Sequence, residues 1–224
     1  RNLDFAVSPG EMLCIVGPSA AGKTTLMHLL AGLVTPPKGQ VRLGDMNVAR
    51  LSDADRASIV GYLPQSTELF RASIRANVAG MSSGDLAAVV AAAKLANVHE
   101  AILRLPKGYD TIVDEGTPQL SGGQMKLVAL ARAYYGDPRL LLLDEPGSNL
   151  DRESRKVLAT TLQGFRQRGA IVVVTTQDSR LGKISGKILM LGGKGARLEF
   201  NGQTGSTEHD NVVKPFRSPP AMTD

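Results

Sequence analysis

Eight residues constrain this 224-residue chain more than any others: Gly17-Pro18-Ser19-Ala20-Ala21-Gly22-Lys23-Thr24 match the pattern G-x-x-x-x-G-K-[ST]. Before them lies a short apolar run, Met12 to Val16, bounded by Pro9-Gly10 and reading as a buried strand. After them Lys23 to Leu33 reads as a helix closed by the turn residues Thr35-Pro36-Pro37-Lys38-Gly39. Strand, glycine turn and helix in that order make the N–H groups of the turn and of the helix start converge, and converging N–H dipoles hold an anion such as a β-phosphate. On this reading Gly17, Pro18, Ser19, Ala20, Ala21 and Gly22 form the cradle, Lys23 brings a point charge to the β- and γ-phosphates, the Thr24 hydroxyl is placed to ligate Mg2+, and Thr25 adds to the cradle from the first helical turn. A glycine turn followed by a solvated lysine is the bland alternative. It gives no reason for a strand on one side and a helix on the other.

The rest of the pattern extends this unit into an α/β chain. Val41 to Leu43 and Ile59 to Leu63 read as short strands, with a polar helix at Leu51 to Ala57 between them. From Ser66 to about Gly136 the texture turns helical, with alanine-rich runs at Asp85 to Leu95 and Gly122 to Tyr135 around the loop Pro106 to Gln119. Leu140 to Leu143 and Ile171 to Thr175 are near-continuous aliphatic runs, expected of parallel strands buried on both faces, and Arg152 to Arg168 is the helix crossing between them. Lys187 to Leu191 and Arg197 to Phe200 flank a Gly-rich turn as a last strand pair. One large domain over 1–202, with an inserted helical part at about 66–136, accounts for the chain up to a polar, Pro-bearing and flexible tail at 203–224.

Composition narrows the function classes. A net charge of +5 suits nucleic acid, anionic lipid, a polyphosphate or merely a basic surface, but aromatics at 4% and the lack of Trp leave few stacking platforms, so no nucleic-acid partner is expected. The single cysteine, Cys14, excludes an internal disulfide and sits in an apolar run as a buried, inert thiol. Apolar stretches such as Leu86 to Ala93 fall short of the roughly 18 residues a membrane span needs, so the sequence reads as soluble. It opens at Arg1 without Met or a targeting stretch, directly into an element at Leu3 to Val7, and reads as a piece of a longer polypeptide.

Two further motifs carry chemistry. Leu140-Leu141-Leu142-Leu143-Asp144-Glu145 is an aliphatic strand ending in two acids, which sets carboxylates at the carboxyl edge of the sheet beside the phosphate loop. Asp144 would hold the Mg2+ shell and Glu145 would orient or deprotonate an attacking water, although an acid-capped apolar strand is common by itself. Leu120-Ser121-Gly122-Gly123-Gln124 precedes a helix, so Ser121 can cap it while Gly122 and Gly123 leave N–H groups open, with Gln124 on the same turn. As a bare pentapeptide it is equally a plain helix cap.

In order and spacing the phosphate loop, Leu120 to Gln124, and Leu140 to Glu145 resemble the ATPase domains of ABC proteins, from residue 1 to about 200. The resemblance implies an α/β fold: a P-loop NTPase core with a mainly parallel sheet, a small N-terminal antiparallel β part and an inserted helical subdomain. It implies ATP and Mg2+ as ligands, with Ser121, Gly122, Gly123 and Gln124 binding the nucleotide. It makes Gln65, in Tyr62-Leu63-Pro64-Gln65, the glutamine that touches Mg2+ and the water and senses the membrane domains, and Ser148-Asn149-Leu150-Asp151 the loop that communicates between two sites. Taken alone, Gln65 and Asp151 read as solvated loop residues. The implied partners are a second ABC ATPase domain, bound head to tail with ATP between them, and transmembrane domains on the same polypeptide, which places the chain at the cytoplasmic face of the bacterial inner membrane.

Leu69 to Val78 and Leu105 to Thr111 are similar to segments of exporters whose ATPase is fused behind a membrane domain. The alanine-bearing phosphate loop, Tyr62-Leu63-Pro64-Gln65, and Asp144 to Asp151 resemble the type I protein secretion ATPases, with lipid or small-molecule exporters as the alternative. Three features depart from the family: its adenine-stacking aromatic would lie upstream of Arg1; Met125, Lys126 and Leu127 replace a usually Arg-rich segment; and Gln177 stands where relatives place a switch histidine, among the catalytic residues with Glu145 and Gln65. His28, His99 and His209 have no motif around them and read as structural or surface residues. A small-molecule kinase would share the phosphate loop without explaining Leu120 to Gln124 or Gln65. A DNA-repair ATPase of this family needs a long coiled coil, and the insertion here has no heptads. A translation-associated member carries two cassettes, and this chain has one.

Overall fold

A computed structural model describes residues 3–200 apart from 83, 115–119, 177–178 and 193–194. Its strands are β1 Met12–Val16, β2 Arg42–Leu43, β3 Met46–Asn47, β4 Val60–Leu63, β5 Leu140–Asp144, β6 Ile171–Thr175, β7 Lys187–Gly192 and β8 Gly195–Phe200. Six of them form one sheet in the order β4-β5-β6-β1-β7-β8, while β2 and β3 make a separate antiparallel pair. Every pairing in the large sheet is parallel except β7 with β8. The helices are α1 Lys23–Leu30, α2 Asp53–Ile59, α3 Ile74–Val78, α4 Leu86–Leu95, α5 His99–Leu103, α6 Gly122–Tyr134, α7 Arg152–Gln167 and α8 Ser179–Ile184.

The aliphatic runs become central strands because successive side chains leave a strand on opposite faces, and both faces are covered. Met12 and Cys14 of β1 and Leu141 and Leu143 of β5 join Val172 and Val174 of β6 in a core under α6 and α7. Leu13, Ile15, Leu140, Leu142 and Val173 face the other way, toward Leu26 and Met27 of α1. Cys14 is fully buried, and burial, reinforced by the nearby charge of Glu145, raises its thiol pKa to about 11, so the thiol is inert as expected.

Local chemistry sets the element ends. Helix α1 stops at Leu30, three residues before the expected end, because Gly32 takes φ +70° and lets the Leu33 amide return to the His28 carbonyl at 2.9 Å. Helix α2 starts two residues later than the pattern suggests because the Ser52 hydroxyl accepts from the Asp55 amide and fixes the N-terminus there. Leu3 to Val7, expected as a regular element, takes none: Phe5 and Val7 pack against the α1 core, but among the described residues no strand lies alongside to pair with the segment. The tail at 203–224 lies outside the described residues.

The helical segments after β4 come back onto the sheet through α6, whose residues Val128, Leu130, Ala131 and Tyr134 are buried. Its seat on β4 depends on Gly61, where an added Cβ would lie 2.0 Å from the Ala133 carbonyl oxygen and 2.8 Å from Pro138. The Ala133 carbonyl is backbone of α6 and cannot yield without moving the helix. Gly61→Ala should therefore cost about 1–3 kcal/mol, as overpacking of a tight interior does. Urea denaturation measures it, and an unchanged midpoint would mean that β4 and α6 are not seated this closely.

Candidate functional site

Strands β1, β4, β5 and β6 run parallel and end at one edge, with Leu63 beside Leu143, Asp144 beside Thr175 and Ile15 beside Thr175. The loop after β1 holds Gly17 to Gly22 at that edge. Gly22 precedes α1 with φ +95°, a conformation that a side chain resists, so the turn can swing its N–H groups inward. The Lys23 ammonium folds back over the loop and donates to the carbonyls of Gly17 at 2.8 Å and Pro18 at 3.0 Å. These bonds hold the charge above the cradle. Pro18, Ser19, Ala20 and Thr25 are exposed, and Gly17, Ala21, Gly22, Lys23 and Thr24 are half-buried.

Asp144, at the end of β5, is 1% exposed, and both carboxylate oxygens are engaged. The Thr24 hydroxyl donates to one at 2.8 Å, and the Thr175 hydroxyl donates to the other. Thr175 was missed by the sequence reading. Its signal is indirect: it ends the aliphatic strand that pairs in register with β5, which only the sheet order reveals. Adjacent ligands of an octahedral Mg2+ at 2.0–2.1 Å stand about 2.9 Å apart, so the Thr24 and Asp144 oxygens have the spacing and the hard-oxygen chemistry that this ion requires.

Glu145 takes φ +50°, the left-handed region that non-glycine residues avoid. Its amide donates to the Thr175 carbonyl at 3.1 Å and to the Thr175 hydroxyl at 3.0 Å, so β6 holds the twist that turns Glu145 off the strand axis. Such a backbone costs on the order of 1–3 kcal/mol and persists only where neighbours enforce it. Gln65 is exposed and follows β4 at the same edge, two residues beyond the end of the strand next to β5. Gln177 lies outside the described residues.

Ser121 caps α6 in full: its hydroxyl accepts from the Gln124 amide at 3.2 Å, while its own amide donates to the Gln124 side chain at 2.8 Å. The cap reading is thus observed, with Gly122 and Gly123 in the first turn of the helix. Among the described residues no hydrogen bond joins 121–124 to 17–25, so the fold gathers Lys23, Thr24, Asp144 and Glu145 and leaves Ser121 to Gln124 as a separate element. Asp151 caps α7 by accepting from the Ser154 amide at 2.7 Å, and this backbone bond lowers its pKa. A second residue missed as a site component is Lys126, 4% exposed, which donates to the Glu145 carbonyl at 2.8 Å and the Ser148 hydroxyl at 2.6 Å. Burial lowers its pKa, and the charges of Glu145 and Asp144 oppose that shift. His28 stands edge-on to Tyr62, and His99 is hydrogen-bonded to the Tyr109 hydroxyl at 2.8 Å; both are packing residues, and His209 lies outside the described residues.

The family model described as ABC transporter matches residues 1–148, from ahead of the phosphate loop through Ser148. The chain is 40% identical over 195 residues to the type I secretion system ATP-binding protein PrsD of Rhizobium meliloti, covering 86% of this chain and 34% of that protein. It is 34% identical over 212 residues to the ATP-dependent lipid A-core flippase of Burkholderia pseudomallei, covering 93% of this chain and 36% of that one. A solved bacterial Atm1-family ABC exporter with ATP bound is similar at a TM-score of 0.73 and 33% identity, over 81% of this chain and 32% of that one. The chain therefore spans about a third of the length of these relatives.

The Asp144 junction gives a direct test. Thr175→Val keeps the shape but leaves one buried carboxylate oxygen without its donor, which should cost about 1–3 kcal/mol. For a domain of this size that is a melting temperature lower by roughly 2–12 °C. An unchanged melting temperature in a thermal scan would remove Thr175 from the site.

Proposed function

The chain belongs to the ABC transporter family as one of its ATPase domains, and from that premise we propose that it powers an exporter, most closely one of the type I protein secretion kind. The observation that carries the chemistry is the junction at Asp144, where a phosphate loop, a Mg2+-compatible oxygen pair and a glutamate on a left-handed backbone meet at one sheet edge. The name of the Rhizobium relative supports protein secretion; that of the Burkholderia relative supports lipid export as the second reading. Deleting the gene and following secreted proteins against outer-membrane lipid separates the two.

In hydrolysis, backbone N–H groups of residues 17–24 and the Lys23 ammonium bind the β- and γ-phosphates of ATP. Thr24 and Asp144, with Gln65, would hold Mg2+, which when bound would supply charge neutralisation at the phosphates. Glu145 orients a water against the γ-phosphorus and takes its proton as the bond to the bridging oxygen breaks. Ser121 to Gln124 of a second copy close over the γ-phosphate, so that two chains associate head to tail around ATP. Membrane domains joined to the chain hold it at the cytoplasmic face of the bacterial inner membrane. Among the described residues no helix is long and apolar enough to cross a membrane.

Glu145→Gln should keep ATP binding yet slow hydrolysis roughly 10²- to 10⁴-fold, the contribution of a general base. With ATP it should dimerise more readily than wild type, read by size exclusion with light scattering; a variant that hydrolyses normally would end the assignment of Glu145.

At Gln177 a neutral amide replaces a histidine, and a neutral hydrogen bond to the γ-phosphate is weaker than a charged one by about 1 kcal/mol, or roughly five- to tenfold in rate. Gln177→His should raise kcat several-fold and Gln177→Ala should lower it. Equal turnover of the alanine variant and wild type in a steady-state assay would make Gln177 a bystander.

A further inference from the structure

The turn that follows β5, from Glu145 to Asn149, contains two non-glycine residues in the left-handed region, Glu145 at φ +50° and Asn149 at φ +60°. Nothing within the turn itself explains why this shape is kept. Its internal bonds are the Ser148 hydroxyl and amide donating to the Glu145 carbonyl, at 2.9 and 3.2 Å. Outside the turn, Thr175 of β6 accepts from the Glu145 amide through its carbonyl and its hydroxyl, and further support comes from α6. The Lys126 ammonium reaches that same Glu145 carbonyl at 2.8 Å and the Ser148 hydroxyl at 2.6 Å, closing a three-membered cluster of donor and acceptors over the turn. One turn of helix back, Gly123 lies so close that an added Cβ would stand 3.2 Å from the Asn149 carbonyl oxygen. The start of α6 thus touches both ends of the turn.

Lys126 is an odd choice for this place on bulk grounds. A cation near a helix N-terminus opposes the helix dipole, and a buried ammonium loses hydration that only hydrogen bonds and opposite charge restore. Leu127, Val128, Ala129 and Leu130, which follow it, are all buried and apolar. Both losses are offset at one point, where its two acceptors lie and where Glu145 and Asp144 supply negative charge.

We propose that Lys126 is a positioning residue for hydrolysis: it clasps the Glu145–Asn149 turn to the first turns of α6 and so fixes the backbone from which the Glu145 carboxylate is presented. The inference rests on the ATPase reading above and deepens it. It also gives the glycine-rich start of α6 a task within its own chain. Any tilt of α6 moves the Lys126 ammonium and with it the carbonyl of Glu145, so a ligand that engages Ser121 to Gln124 is felt at the general base through the Lys126 side chain.

The test compares the full chain with Lys126→Met, which keeps length and removes both hydrogen bonds, and Lys126→Gln, which keeps a neutral donor. In steady-state ATPase assays the methionine variant should lose roughly tenfold or more in kcat, as for a charge-assisted hydrogen bond that matters in the transition state. KM and the dissociation constant of a non-hydrolysable ATP analogue should stay within about twofold, because uniform binding is untouched. Glutamine should recover part of kcat. Hydrogen exchange at the amides of Ser148 and Leu150 should rise in the methionine variant, a readout that needs no hydrolysis. Unchanged exchange overturns the clasp, and raised exchange with unchanged kcat, or with kcat and nucleotide affinity falling together, overturns the positioning role. If wild type hydrolyses no faster than Lys23→Ala while exchange still rises in the methionine variant, the ATPase reading fails and the clasp stands.

Discussion

A buried carboxylate organises this molecule. Asp144 is almost wholly removed from water, where an ionised carboxylate without partners would cost several kcal/mol, on the order of any single interaction in the fold. Its two oxygens are answered by Thr24 at the start of α1 and Thr175 at the end of β6. The answer ties together segments 120 and 31 residues away in sequence. The phosphate loop is therefore placed by tertiary hydrogen bonds at its helix end as well as by the strand before it.

The site inherits its geometry from that tie. Because Thr175 also receives the Glu145 amide, the residue that holds Asp144 sets the direction in which its neighbour leaves the strand. Two adjacent acids then have opposite environments: Asp144 is enclosed and doubly bonded, whereas Glu145 is half-buried on a left-handed backbone. An enclosed carboxylate beside a hydroxyl suits a cation shell. Lys126 completes the arrangement from the side of α6, so the same turn is held by β6 on one flank and by a helix on the other.

Most of the strands, the long helices and the phosphate loop were legible because their signals are local. An aliphatic run between turn residues has one good solution, a strand buried on both faces, and G-x-x-x-x-G-K-T between a strand and a helix has one good use. Leu3 to Val7 shows the limit of the same logic: apolar residues at alternate positions ask for a strand, but a strand also needs a partner edge, and among the described residues none lies beside it. The ends of α1 and α2 moved for a comparable reason, since Gly32 and Ser52 form capping bonds that a hydrophobic pattern does not register.

The amino-acid sequence by itself determined the fold class, the cradle of residues 17–24, the paired acids 144 and 145, and the capped, glycine-bearing start of α6, since each depends on residues adjacent in the chain. Only the tertiary structure decided that Thr175 holds Asp144 and twists Glu145, and that Lys126, in the segment that replaces a usually Arg-rich one, is a buried donor to the turn after β5. Those roles depend on which strands become neighbours and in what register, and on where a helix end is seated. Contacts of that kind join residues 19 to 120 positions apart, and no periodicity within a short window carries them.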